Sequence, residues 1–141
     1  FEIKKNLEKL NLKVHLHESK QKIEPNLDIY LVNSYGKTKT FYNLCKNVFL
    51  GGSLINHGGQ NPLEATRYGC FIIHGPYIQN FNEIYSFLKK NKISQKINSQ
   101  NQMAYILNKL LNKKPDSKKI QQKLKSIGQE ILHSTLKEIK I

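Results

Sequence analysis

Three short apolar runs, each ending in a turn that carries glycine, constrain the fold of this chain more than any other feature. Asp28-Ile29-Tyr30-Leu31-Val32 leads to Ser34-Tyr35-Gly36, Asn47-Val48-Phe49-Leu50 to Gly51-Gly52-Ser53, and Phe71-Ile72-Ile73-His74 to Gly75-Pro76. Runs this compact suit strands buried within a sheet. Helical patterns lie around them. Residues 2–11 place Ile3, Leu7 and Leu10 at helical spacing, and residues 13–17 alternate as a short strand. The stretch from Glu18 to Asn26 is polar, carries Pro25 and reads as a loop. A helix over about 37–46 would turn Phe41, Leu44 and Cys45 inward. Asn61-Pro62 opens a short helix, since asparagine caps well and proline fits the first turn, and Gly69 closes it. A helix over about 81–91, a small strand at 93–97 and helices over about 99–112 and 116–139 complete the chain. The last of these carries Ile120, Leu124, Ile127 and Ile131 as a stripe, with Gly128 as a weak point. Strands alternating with helices through short connections predict an α/β, Rossmann-like fold. It is a parallel sheet with helices on both faces, ending in a long C-terminal helix.

A length of 141 residues with 38% hydrophobic content suits one domain over residues 1–141. Collagen-like, disulfide-framework and membrane-spanning classes are excluded, because no apolar stretch approaches the roughly 18 residues a span needs. Cys45 and Cys70 read as free core thiols. The opening Phe1-Glu2-Ile3-Lys4-Lys5 runs straight into a helical pattern, which predicts the tail portion of a longer protein.

Ligands in such sheets bind beyond the carboxyl ends of the strands, where the three glycine turns would lie together. The middle turn is the richest. Gly51-Gly52-Ser53-Leu54 leads through Gly58-Gly59-Gln60 into Asn61-Pro62-Leu63-Glu64. Glycine pairs beside a helix start expose backbone N–H groups to a phosphate, and Glu64 could accept from a ribose cis-diol. That combination suits a nucleotide or nucleotide-sugar. Two plainer readings stand beside it: Asn61-x-x-Glu64 is also a capping-box spacing, and glycine pairs also punctuate loops.

The string Val48-Phe49-Leu50-Gly51-Gly52-Ser53-Leu54, then Gly58-Gly59-Gln60-Asn61-Pro62-Leu63-Glu64-Ala65, then Gly75-Pro76 and Asn80-Phe81, closely resembles the C-terminal half of Kdo transferases. These are the 3-deoxy-D-manno-octulosonic acid transferases of lipopolysaccharide synthesis. The strong part of the resemblance runs from about Asp28 to Phe87. It implies the donor-binding half of a two-domain GT-B glycosyltransferase that transfers Kdo from CMP-Kdo to a lipid A precursor. The reaction would take place at the cytoplasmic face of the bacterial inner membrane. The implied CMP contacts are Tyr35, Gly36 and Lys37, Gly52 and Ser53, and the run Gly58, Gly59, Gln60, Asn61, Pro62, Leu63 and Glu64. A further basic CMP-binding turn would precede Phe1. The general base would belong to the N-terminal domain, leaving no catalytic residue in this chain. Neither a metal nor any other cofactor is expected.

Two positions depart from the family pattern. Tyr35-Gly36-Lys37 stands where Met-Gly-Glu is usual, replacing an acidic contact by a basic one. Gln60 stands where histidine is usual; it can still hydrogen-bond but cannot titrate near neutral pH. The implied mechanism is an inverting displacement, with this half holding cytidine and ribose and stabilising the departing phosphate. An alternative within the same class is a GT-B domain for another nucleotide-sugar.

His15, His17, His57, His74 and His133 show no zinc-ligand spacing, and only His57 and His74 fall in the ligand-edge loops. The chain has 23 Lys+Arg against 10 Asp+Glu, a formal charge of +13, and Arg67 is its only arginine. Lysines gather in two groups: Lys89, Lys90, Lys92 and Lys96, then Lys109, Lys113, Lys114, Lys118, Lys119, Lys123 and Lys125. Such a surface could rest on anionic lipid, attract a phosphorylated lipid acceptor, or be a solvated face reflecting composition alone. A basic module for membranes or polyanions is therefore the rival of a different class. No RNA-binding signature or recognition-helix pattern supports nucleic acid as a partner.

Overall fold

The structure, a computed structural model, describes residues 2–18, 21–23, 25–112 and 114–139. The chain forms two compact units, Phe1–Thr38 and Lys39–Ile141.

In the first unit, α1 (Glu2–Glu8) is followed by β1 (Val14–Leu16) and β2 (Ile29–Leu31). The two strands pair in parallel, Val14 opposite Ile29 and Leu16 opposite Leu31. Asp28 sets the register by accepting the Lys13 amide through Oδ2 at 2.8 Å. The helix is shorter than its apolar spacing suggests. It ends at Glu8, and Asn11 in the left-handed region (φ 60°) turns the chain, so Leu10 and Ile3 are exposed. β2 is not the interior strand its apolar run predicts, because among the described residues it pairs with β1 alone and is half-buried.

The second unit holds β3 (Asn47–Phe49), β4 (Phe71–His74) and β5 (Ser94–Lys96), parallel and in that spatial order. The helix α2 (Thr38–Leu44) leads into β3, α3 (Leu63–Arg67) joins β3 to β4, and α4 (Asn82–Lys90) joins β4 to β5. Alternate β4 side chains enter different cores, as strand geometry requires. Ile72 packs with Ala65 of α3, Tyr85 and Leu88 of α4, and Ile120 of α6 (Ser117–Glu138). Ile73 packs with Ile97 and with Ile106 of α5 (Gln100–Asn112). Helices therefore cover both faces of this sheet, and the long C-terminal helix is α6. Ile72, Ile73 and Leu88 are wholly buried, each contributing roughly 1.5–3 kcal/mol.

Leu44 and Cys45 differ from expectation. The helix stops at Leu44, whose side chain is 72% exposed, and Cys45 lies exposed beyond it. Only Cys70 is a buried thiol, with Sγ against the carbonyls of Tyr42 and Cys45 at 3.4 Å. Along α6, Ile120 is buried and Leu124 and Ile127 are half-buried, but Ile131 is exposed because the helix runs on past the core. Among the described residues no helix is long and apolar enough to cross a membrane. Lys113 of the second lysine group lies outside the described residues.

Candidate functional site

The carboxyl edge of the second unit's sheet is built around one side chain. Ser53 is completely buried; its Oγ donates to Leu50 O at 2.6 Å and accepts the Gly75 amide at 2.8 Å. One hydroxyl thus clasps the turn after β3 to the turn after β4. Gly75 must be glycine here, since a Cβ would occupy the space of the Ser53 carbonyl. The loop that leaves this clasp returns to it: Gly59 donates to Gly52 O at 3.1 Å, and Tyr77 donates to Ser53 O at 3.0 Å.

The second glycine pair is buttressed from the segment after β4. Asn80 donates its amide to Gly58 O at 3.4 Å and fills the space where a Gly58 Cβ would project. Gly58 has φ +88°, a conformation that favours glycine. Tyr85 of α4 donates its hydroxyl to Gln60 O at 2.9 Å. The Tyr85 ring lies 4.3 Å from the His74 ring, and burial pushes the Tyr85 hydroxyl up to about 12. His74 is buried with Nδ1 2.7 Å from Gly75 O. Burial lowers its pKa from the ordinary 6.5; the Gly75 carbonyl opposes this, and Lys96 and Lys89 reinforce it.

This framework leaves several groups open. Among the described residues, the amides of Gly58, Gln60 and Asn61 have no hydrogen-bond acceptor. Asn61 caps α3 locally, its Oδ1 accepting the Leu63 amide at 2.9 Å. The reciprocal half of a capping box is not formed: Glu64 is exposed, and no hydrogen bond or ion pair holds its carboxylate among the described residues. Its charge is felt by Tyr42, whose hydroxyl is raised first by burial and then by Glu64. With five residues, α3 is too short for a strong macrodipole, so the local amides carry what attraction the helix start has for an anion.

Within the second unit the structure thus brings together Gly52, Ser53, Gly58, Gly59, Gln60, Asn61, Pro62, Leu63 and Glu64. Pro62 is buried, and the Gln60 side chain is exposed. Tyr35, Gly36 and Lys37 form the turn after β2 in the first unit, all exposed, with Gly36 at φ +79°. Of the two edge histidines, His57 is exposed beside Gly52, whereas His74 belongs to the scaffold. Sequence reasoning gave no role to Tyr85. Its signal was a tyrosine among the apolar positions Ile84, Phe87 and Leu88, where a buried hydroxyl needs a partner. Among the described residues, no group of three or more His, Cys, Asp or Glu side chains could hold a metal ion.

No family model matches the chain. It is 33% identical over 91 residues to the 3-deoxy-D-manno-octulosonic acid transferase of Aquifex aeolicus, covering 64% of this chain and 26% of that protein. The transferase of the same name from Haemophilus influenzae is 32% identical over 107 residues, 76% of this chain and 24% of that one. A solved structure, the C-terminal CMP-Kdo binding domain of WaaA from Acinetobacter baumannii, superposes with a TM-score of 0.78. It is 25% identical, and the match covers 91% of this chain and 67% of that one. The chain is a homologue of the Kdo transferases. Its α/β architecture is that of the solved C-terminal domain. The chain spans about a quarter of the length of these Kdo transferases. A bifunctional glycosyltransferase/methyltransferase of Fusobacterium nucleatum is a further relative, 29% identical over 93 residues, 66% of this chain and 14% of that protein.

Proposed function

We propose that this chain is the CMP-Kdo-binding part of a Kdo transferase, and that the donor sits against the carboxyl edge of the second unit's sheet. The observation that carries this reading is the pairing of acceptor-free amides, at buried Gly58 and at exposed Gln60 and Asn61, with an uncommitted carboxylate at Glu64 on the same tied rim. An amide cluster attracts phosphate oxygens, and a free carboxylate can accept both hydroxyls of a ribose. The likeness to a solved CMP-Kdo binding domain supports the choice of cytidylate.

In the reaction so proposed, an acceptor hydroxyl attacks the anomeric carbon of Kdo while the bond to the CMP phosphate breaks, with inversion. The amides at Gly58, Gln60 and Asn61 neutralise charge gathering on that phosphate, without reorganising as it leaves. Glu64 fixes the ribose and thereby the phosphate. Ser53 acts from beneath, through its hold on the loop. For Tyr35, Gly36 and Lys37 the resemblance alone supports a donor role, with the Lys37 ammonium suited to an anionic group. A lipid A precursor as acceptor, a general base on an N-terminal domain, and the cytoplasmic face of the inner membrane belong to the same proposal. They rest on the family resemblance.

Isothermal titration with CMP, UDP, GDP and ADP tests the reading. CMP is expected to bind best, and Glu64→Ala to weaken it about tenfold with an unchanged circular dichroism spectrum. Preference for another nucleotide would transfer the assignment to a different nucleotide-sugar. Equal CMP affinity in folded Glu64→Ala would remove the ribose role.

A further inference from the structure

At the opposite, amino edge of the same sheet a groove of about 350 Å³ opens between the end of α4 and the start of α6. Its floor is apolar, formed by Phe71, Ile93, Leu110 and Ile120. Four lysines, Lys92, Lys114, Lys119 and Lys123, stand around it, drawn from both of the sequence's lysine groups. Among the described residues one carboxylate, Asp116, joins the lining, and its Oδ1 caps α6 by accepting the Lys119 amide at 3.0 Å. Lys123 is held in place, its Nζ donating to Asn91 O at 3.2 Å.

One of these cations occupies a backbone position that ordinarily favours glycine. Ile93 donates to Leu88 O at 2.8 Å and Lys92 to Lys89 O at 3.0 Å, the two-bond turn that closes many helices. The residue at that corner adopts the left-handed conformation and is ordinarily glycine; here it is Lys92, at φ 58°. Lys119, with Lys118, lies in the first turn of α6, where the helix dipole disfavours cations and the N-cap carboxylate of Asp116 offsets part of that cost. What sets these lysines apart from the rest of the basic surface is that all four surround one concave, apolar-floored groove.

We propose that this groove binds a phosphate-bearing amphiphile, with the lysine ammonium groups holding the phosphate and the apolar floor holding the adjoining chain. The inference rests on the lysine positions and stands apart from the nucleotide reading. The probe is monomeric dihexanoyl-phosphatidylglycerol, titrated beside dihexanoyl-phosphatidylcholine and sodium phosphate. The phosphatidylglycerol is expected to bind, more weakly as salt rises, and the other two to bind at least tenfold more weakly. Lys119→Gln and Lys92→Gly should each weaken it about fivefold. Lys92→Gly should at the same time raise the melting midpoint by roughly 3 °C, because glycine relieves the corner. A gain in stability joined to a loss of binding separates a ligand contact from a packing role. Co-flotation with phosphatidylglycerol vesicles, abolished by the same variants, identifies a lipid headgroup in a bilayer as the source. Binding of the monomer without flotation identifies a soluble phosphorylated amphiphile. No binding of dihexanoyl-phosphatidylglycerol, equal affinity for inorganic phosphate, or affinity unchanged in both variants overturns the proposal.

Discussion

Replacing Ser53 by alanine tests the idea that one hydroxyl assembles the rim. Ser53 is completely buried, and its neighbours Leu50 and Gly75 are also buried. The substitution removes a 2.6 Å bond to the Leu50 carbonyl and deprives the Gly75 amide of its 2.8 Å acceptor. A buried amide left without a partner costs about 1–3 kcal/mol, and the lost donor to Leu50 adds about 0.5–1.5 kcal/mol. Little is recovered from the methyl group, which fills almost the same space. We therefore expect a loss of about 2–4 kcal/mol, a large share of the roughly 5–15 kcal/mol typical of a folded domain. Urea unfolding should show a lower midpoint with an unchanged m-value. Native-state hydrogen exchange should show the amides of Gly59 and Tyr77 losing protection, because their acceptors flank the lost clasp. A destabilisation under about 0.5 kcal/mol, with both amides still protected, would refute the reasoning.

Two further outcomes follow from the same framework. Tyr85→Phe keeps the ring on His74 but frees the Gln60 carbonyl; it should cost about 1 kcal/mol and weaken CMP several-fold, measured by melting and titration. His74 has a folded pKa below 6.5, so the unfolded chain binds the extra proton first on acidification. Its contribution to stability is therefore complete above pH 6.5 and declines as the pH falls from 6.5 through the lower folded value. Urea midpoints across pH 5–7.5 should fall toward acid, and His74→Gln should flatten that dependence.

Much of the architecture was legible because it rests on local chemistry. The glycine turns after β3 and β4, the start of α3 near Asn61-Pro62 and the alternation of strand and helix all follow from short-range rules, and each stands where the residues place it. What escaped depends on contacts distant in sequence. The apolar run at Asp28–Val32 says nothing of how many strands will flank it, so β2 read as an interior strand. Cys45 continues an apolar pattern past Leu44, where the helix stops, and a pattern does not reveal its end without a capping signal. At the rim, the spacing of Asn61 and Glu64 could not distinguish a capping box from a free carboxylate. The structure does so, because Asn61 caps its own helix while Glu64 forms no bond. Tyr85 lies 25 residues from the carbonyl it supports, too far for any motif to announce.

The loop from Leu54 to His57 has a practical use. Its residues are exposed, Asn56 accepting from the Gln79 side chain at 2.9 Å, while both of its stems are fastened by Gly59 to Gly52 and by Tyr77 to Ser53. A tip tied at its base can change length without loosening what lies beneath it. A fluorescent dye or a few grafted residues at Ile55, 67% exposed, would ride on the protein as on a bracket, leaving the foundation untouched.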